Sequence, residues 1–210
     1  MQYLIGVDDT DNAKSPGTGA LVRRLAEWLQ ADRLAEPHGI TRHQLYANRH
    51  IDYTGHNSSV CLSIDADNAD AVWETARDFL ALESAPHANA GLCLSPWDAI
   101  RLGLIDMGRR AKSEVLALED AQQAAARSRV RFAAVTGNGN GVIGAVAAVA
   151  LHREGNDGRF LWLPGLLELQ GKHAVDEILD RTPIDRICSL DGVEIPATAL
   201  VDFGEWTRPV

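Results

Sequence analysis

Apolar and polar positions alternate along this chain in short blocks, and the blocks predict its elements. "QYLIGV" (2–7) is a compact β-rich run, which predicts a buried strand ending in a polar loop. In "GALVRRLAEWLQADRL" (19–34), Leu21, Val22, Leu25, Trp28 and Leu29 recur at helical spacing opposite Arg23, Arg24 and Glu27. A turn at "EPHG" (36–39) leads to a strand around 43–49, a polar loop over 48–59 and a strand at 59–66. Asn68 then stands as N-cap of a helix over 68–84, with Ala71, Val72, Ala76, Phe79 and Leu80 on one face.

Further on, the pattern predicts a strand at 88–96, a helix opening on Pro96, and another helix over "SEVLALEDAQQAAARS" (113–128), with the clearest pattern from Glu119. A strand follows at 129–135, and from Val142 an Ala/Val-rich helix that is apolar all round, hence buried on several sides. The remainder reads as a strand at 158–165, a helix over 171–182, a hairpin at "ICSLDGVEI" and a last strand near 199–203. This alternation places the fold in the α/β to α+β range, with mixed sheets flanked by helices. No repeat or low-complexity linker interrupts it.

Composition narrows the function classes. The 210 residues are 46% hydrophobic and 23% charged, as in an ordinary globular protein. A net charge of −9 argues against an extended nucleic-acid face, since such affinity depends on Lys and Arg neutralising phosphates. DNA is therefore not an expected partner, and Arg109, Arg110 and Lys112 read as a solvated local cluster. Cys61, Cys93 and Cys188 lie far apart without CxxC spacing, which indicates neither a disulfide framework nor a zinc site. No signal peptide opens the chain, and the longest apolar run, near 142–151, is too short for a bilayer. The expectation is a cytoplasmic protein without a membrane partner.

Two loops carry candidate chemistry. In "IGVDDTDNAKSPGTG" (5–19), Asp8, Asp9 and Asp11 crowd the end of the first strand. Two carboxylates about 4 Å apart repel by about 4 kcal/mol at an effective dielectric near 20, so separation, a shared proton or a cation must relieve them. Clustered strand-end carboxylates suit Mg²⁺, which takes one or two and fills its shell with water and substrate phosphates. The competing reading is that Asp9, Thr10 and Asp11 form Asx turns or cap the next helix. Thr18, between Gly17 and Gly19, is expected to expose its hydroxyl, either as a cap or towards a phosphate. Lys14 would pair with phosphate or stay solvated.

The second loop, "TGNGNGVIG" (136–144), puts glycines before a helix, where backbone N–H groups can approach an anion with the helix dipole behind them. Gly139, Gly141 and Gly144 fit GxGxxG, but no acidic residue ends the next strand, so the dinucleotide reading fails its second requirement. What stands is a phosphate cradle of Gly137, Asn138, Gly139, Asn140 and Gly141, against a tight turn with helix packing at Gly144. His50 and His56 have no partner spaced for zinc.

"IGVDDTD" together with "GVIGAVAAVA" resembles the N-terminal kinase-like part of the tRNA 2-agmatinylcytidine synthetase family, over roughly residues 1–165. The resemblance implies ATP and Mg²⁺ as cofactors, with Asp8, Asp9 and Asp11 as metal ligands and Thr18 as a threonine that becomes phosphorylated. It also implies a kinase-like portion (1–48 and 129–170), a ferredoxin-like inserted portion (49–128) and a C-terminal extension (171–210). The first loop here reads "AKSPGTGA" in place of the family's Cys-Thr-Thr-like stretch, and the second reads "GNGNG" where the family carries Arg. Nothing in the sequence matches the family's OB-fold and zinc ribbon, so a tRNA substrate is not expected without a partner chain. The resulting expectation is an ATP-dependent phosphotransferase or nucleotide hydrolase acting on an unknown acceptor. A non-catalytic nucleotide- or anion-binding module is the alternative, and a homodimer is left open.

Overall fold

A computed structural model describes residues 1–53 and 55–204, which divide into two units, Met1–Arg159 and Phe160–Val210. The first unit contains β1 (Gln2–Asp8), α1 (Thr18–Ala31), β2 (Glu36–Gln44), β3 (Ser58–Asp65), α2 (Ala69–Glu83) and β4 (Gly91–Pro96). It continues with α3 (Leu102–Arg110), α4 (Leu118–Ser128), β5 (Arg131–Ala134) and α5 (Gly141–Glu154). Its strands lie in the order β5-β4-β1-β3-β2. Every pairing among them is antiparallel, which settles the expected α+β class without a parallel strand.

The succession β1-α1-β2-β3-α2-β4 with spatial order β4-β1-β3-β2 is the split β-α-β arrangement of ferredoxin-like folds. The ferredoxin-like character expected over 49–128 thus shares its sheet with β1. The turn expected at 36–39 is instead the start of β2, with an irregularity in register between Pro37 and Gly39. A bulge absorbs the two residue types that read as a turn. The helix expected from Pro96 is broken: a single 3₁₀ turn spans Trp97–Ala99, and α3 begins at Leu102. Asn68 caps α2 as expected, its side chain accepting from the Ala71 N–H at 3.1 Å.

Side chains alternate across β1. Leu4, Gly6 and Asp8 face α5, while Ile5 and Val7 are buried on the other side. Helix α5 lies against β1, β4 and β3, with α3 and α4 behind it, so its Ala and Val positions are enclosed on all sides. Two glycines set how near it comes. A Cβ on Gly6 would stand 1.9 Å from the Ala145 carbonyl oxygen, and one on Gly91 would stand 2.0 Å from the Gly141 carbonyl carbon. Backbone meets backbone there, and this close seating brings the N-terminal turn of α5 to the end of β1.

A polar cluster lies within the same unit. Thr41 Oγ1 is 2.9 Å from His43 Nε2 and 2.8 Å from His152 Nδ1, and His43 Nδ1 is 2.9 Å from Asp157 Oδ1. The Lys112 ammonium pairs with the other Asp157 oxygen. Neutral rings satisfy all of this in one way: His152 Nδ1–H donates to Thr41, Thr41 donates to His43 Nε2, and His43 Nδ1–H donates to Asp157. Burial pushes the His43 imidazolium down and that of His152 down to about 4, the latter also through the neighbouring His43 charge. At Asp157 burial acts upward, but the bonds from Lys112 and His43 outweigh it and hold the carboxyl below its usual value.

The unfolded chain protonates these imidazoles near pH 6.5 and the folded chain resists, so their stability is complete above that pH and drains as it falls towards 4. His152 alone should cost up to about 3 kcal/mol over that interval. Denaturation midpoints followed from about pH 7 down to about pH 4.5 should fall less steeply in His152→Gln than in the wild type. Identical acid limbs would refute the assignment.

The second unit holds β6 (Arg159–Trp162), whose first residue belongs to the first unit, then β7 (Lys172–Ala174), α6 (Val175–Arg181) and β8 (Leu200–Asp202). β7 pairs antiparallel with β8, and Leu163, Leu166, Leu169 and Ile178 form its small core. The expected "DG" hairpin is present, with Cys188 bridging Glu194. Residues 205–210 of the C-terminal extension lie outside the described residues. Among the described residues no helix is long and apolar enough to cross a membrane.

Candidate functional site

At the end of β1 the chain turns sharply. Asp9 has φ 54°, a left-handed conformation that Asp and Asn tolerate better than other side chains. The turn lets Asp8, Asp9 and Asp11 all line one cavity of about 210 Å³ in the first unit. Asn140, Gly141, Ile143 and Gly144 of the second loop and α5 line the same cavity. The two stretches are far apart in sequence and adjacent in space.

Each carboxylate has its own surroundings. Asp8 lies beneath α5, where a Cβ on Gly144 would stand 1.8 Å from its Oδ2, so only glycine leaves that carboxylate room. Burial pushes Asp8 well above the usual carboxylate range; the Asp9 N–H pulls it back, and the charges of Asp9 and Asp11 push it up again. Asp9 is raised by burial too, opposed by a hydrogen bond from Asn89 Nδ2 at 3.2 Å and reinforced by Asp11 and Asp52. Asp11 Oδ1 accepts from the Thr18 hydroxyl at 3.2 Å.

Thr18, expected to expose its hydroxyl, is only 7% exposed. As the first residue of α1 it points inward, and its Oγ1 accepts from the Thr10 hydroxyl at 3.0 Å while donating to Asp11. Thr10, itself buried, and Thr18 thus brace the aspartate loop and do not line the cavity. Lys14 is exposed, its N–H donating to Asn12 Oδ1, and lies off the cavity as well.

The glycine-bearing loop bonds largely to its own chain. The Asn138 N–H donates to Asn89 Oδ1, Asn140 to Asn138 Oδ1, Gly141 to the Asn89 carbonyl, Val142 to Gly139 and Ile143 to Asn140. Gly137 and Gly139 have φ 61° and 84°, the left-handed values that fold the loop back. Asn89 is the residue that sequence reasoning missed. It touches Asp9 through its amide and the second loop through its carbonyl groups, joining the two halves of the site. No local pattern marks it in the sequence, where it stands two residues before β4.

The rest of the wall comes from the β2–β3 connection, with Leu45, His50, Ile51, Asp52, Tyr53, His56, Asn57 and the first residue of β3, Ser58, and from Ala111 and residues 114–118. Asp52 and Glu114 add two carboxylates, and no Lys or Arg is among the described lining residues. Hard carboxylate oxygens of this kind suit Mg²⁺. Among the described residues, however, no three His, Cys, Asp or Glu side chains converge as a ready metal set. Any ion here would take one or two carboxylates, with the remaining positions left to water or ligand oxygens.

No protein-family model matches the sequence, and no curated protein matches it either. The fold does match solved structures. The apo form of TiaS, a tRNA agmatidine synthetase, superposes with a TM-score of 0.62 at 21% identity, covering 71% of this chain and 35% of that one. The complex of TiaS with its tRNA and ATP gives 0.65 at 20% identity over 94% of this chain and 50% of that one. The complex of TiaS with its tRNA, AMPCPP and agmatine gives 0.64 at 19% identity over 100% and 52%. The chain therefore has the fold of part of TiaS, the resemblance read from its motifs, and spans about half or less of those structures.

Proposed function

We propose that this protein binds a nucleoside triphosphate, ATP first, together with Mg²⁺, and transfers or hydrolyses its terminal phosphate. The observation that carries the reading is the meeting of Asp8, Asp9 and Asp11 with the N-terminal turn of α5 around one cavity. Solved TiaS structures of the same fold contain ATP or AMPCPP, which supports nucleotide as the ligand.

Charge then dictates the metal. A triphosphate cannot enter a wall of carboxylates without Lys or Arg unless a cation accompanies it. Mg²⁺ would neutralise phosphate charge between Asp9, Asp11 and the ligand, with Asp8 behind them. Positioning and charge neutralisation are most of what phosphoryl transfer requires of a protein. Phosphate would then meet the second loop through Asn140 and the α5 dipole, since most of that loop's N–H groups are engaged.

The buried Thr18 hydroxyl favours an external acceptor over Thr18 itself, and the engaged loop favours a second reading, binding without catalysis. Titration calorimetry with ATP and GTP, each with Mg²⁺ or with EDTA, followed by a phosphate-release assay, separates these. Mg²⁺-dependent binding with turnover is expected; binding without turnover supports the second reading. No binding at any Mg²⁺ concentration removes both. The tRNA of the TiaS complexes is not carried over to this chain, whose net charge of −9 argues against an extended RNA-binding face.

A further inference from the structure

The glycine-bearing loop is wrapped around one of the protein's own side chains. Thr136 holds the backbone on either side of Asn89: its hydroxyl donates to the Ala88 carbonyl at 2.7 Å and accepts from the Ala90 N–H at 2.9 Å. The Gly141 N–H donates to the Asn89 carbonyl at 3.1 Å, and the Asn138 N–H to Asn89 Oδ1 at 3.0 Å. Gly137, at φ 61°, leaves the room this requires, since a Cβ there would stand 2.2 Å from Asn89 Oδ1. A backbone N–H only donates, so Oδ1 lies on the loop side and Nδ2 faces Asp9. The amide is aimed, and its donor reaches Asp9 Oδ2 at 3.2 Å. Asn89 is not among the residues lining the cavity, so it acts there through Asp9.

We propose that Asn89 is a positioning residue that sets the site's choice of cation, resting on the reading above: it engages one oxygen of Asp9, so that the carboxylate offers an ion only the other. Mg²⁺ takes single carboxylate oxygens in a strict octahedron and keeps several waters, whereas Ca²⁺ accepts two-oxygen carboxylates in a larger, looser shell. A carboxylate held at Oδ2 by a fixed donor therefore favours the smaller ion. The loop supplies the fixity, because the bonds from Asn138 and Thr136 keep the amide from turning away and releasing Oδ2. A loop that served only as an anion cradle would leave its N–H groups to the ligand; here Asn89 engages those of Asn138 and Gly141.

Titration calorimetry of ATP on the full chain, with Mg²⁺ and separately with Ca²⁺, tests this for wild type, Asn89→Ala and Asn89→Asp, with circular dichroism to confirm folding. Aspartate keeps an oxygen for the Asn138 N–H, so it preserves the loop while removing the donor to Asp9. Wild type should bind ATP about tenfold or more tightly with Mg²⁺ than with Ca²⁺, and both variants should bring that ratio down to about twofold. A loop that had merely loosened would weaken binding with both ions alike and leave the ratio where it was. An unchanged ratio in a folded variant, or binding lost with both ions, overturns the role of Asn89 while the nucleotide reading survives. Wild type that binds ATP equally well with the two ions does the same. Wild type that binds it with neither ends both.

Discussion

Gly91→Ala should lose about 3 kcal/mol or more of stability, the upper end of what overpacking usually costs. The new methyl would stand 2.0 Å from the Gly141 carbonyl carbon and 2.2 Å from both its oxygen and the Val142 nitrogen. Those atoms are backbone at the first turn of α5, so no rotamer change can give way. Either α5 withdraws from the sheet, opening a core that includes Val142, Ala145 and Val149, or β4 bends. For a chain of this length the loss corresponds to a fall in melting temperature of roughly 6–12 °C. Gly103→Ala is the control. It lies within α3 with nothing inside 4 Å of its added Cβ, and the helix should gain or stay level. Thermal unfolding that places both variants within about 2 °C of wild type would contradict the close seating of α5.

The second large effect concerns ligand binding. Asp9→Asn should weaken Mg²⁺-nucleotide binding by about 2–5 kcal/mol, roughly thirtyfold to several thousandfold, with the fold intact. Asparagine is the informative replacement because it accepts the left-handed backbone at φ 54°, where alanine would add strain. It can also keep an oxygen towards Asn89 Nδ2. What it removes is one charge from a wall in which Asp8, Asp9, Asp11, Asp52 and Glu114 repel each other. The ligand-free variant should therefore melt no lower than wild type, and the loss should appear in calorimetry alone. Unchanged affinity in a folded variant would remove Asp9 from the site.

Much of this architecture was legible because it is local. The strand "QYLIGV", the Asn68 cap and the all-apolar helix from Val142 follow from periodicity and capping within a dozen residues, and β1, α2 and α5 are where they were read. The cavity could be anticipated only as far as two motifs suggested a common ligand. What stayed hidden depends on distant partners. Pro37 and Gly39 carry turn chemistry, yet pairing with β3 makes them a bulged strand. Thr18 looks exposed between two glycines until Thr10 and Asp11 enclose its hydroxyl. Asn89 has no local signature, since its role is to bridge Asp9 and Asn138 across the fold. The glycines before α5 looked like an anion cradle, whereas Gly141 and Gly144 also make room for β4 and Asp8.

Strand β1 is held on both edges, by β3 and by β4, and the carboxylates sit at its tip. Opening that wall means breaking two ladders at once, so the place of Asp8 is dictated by both neighbouring strands and not by a loop.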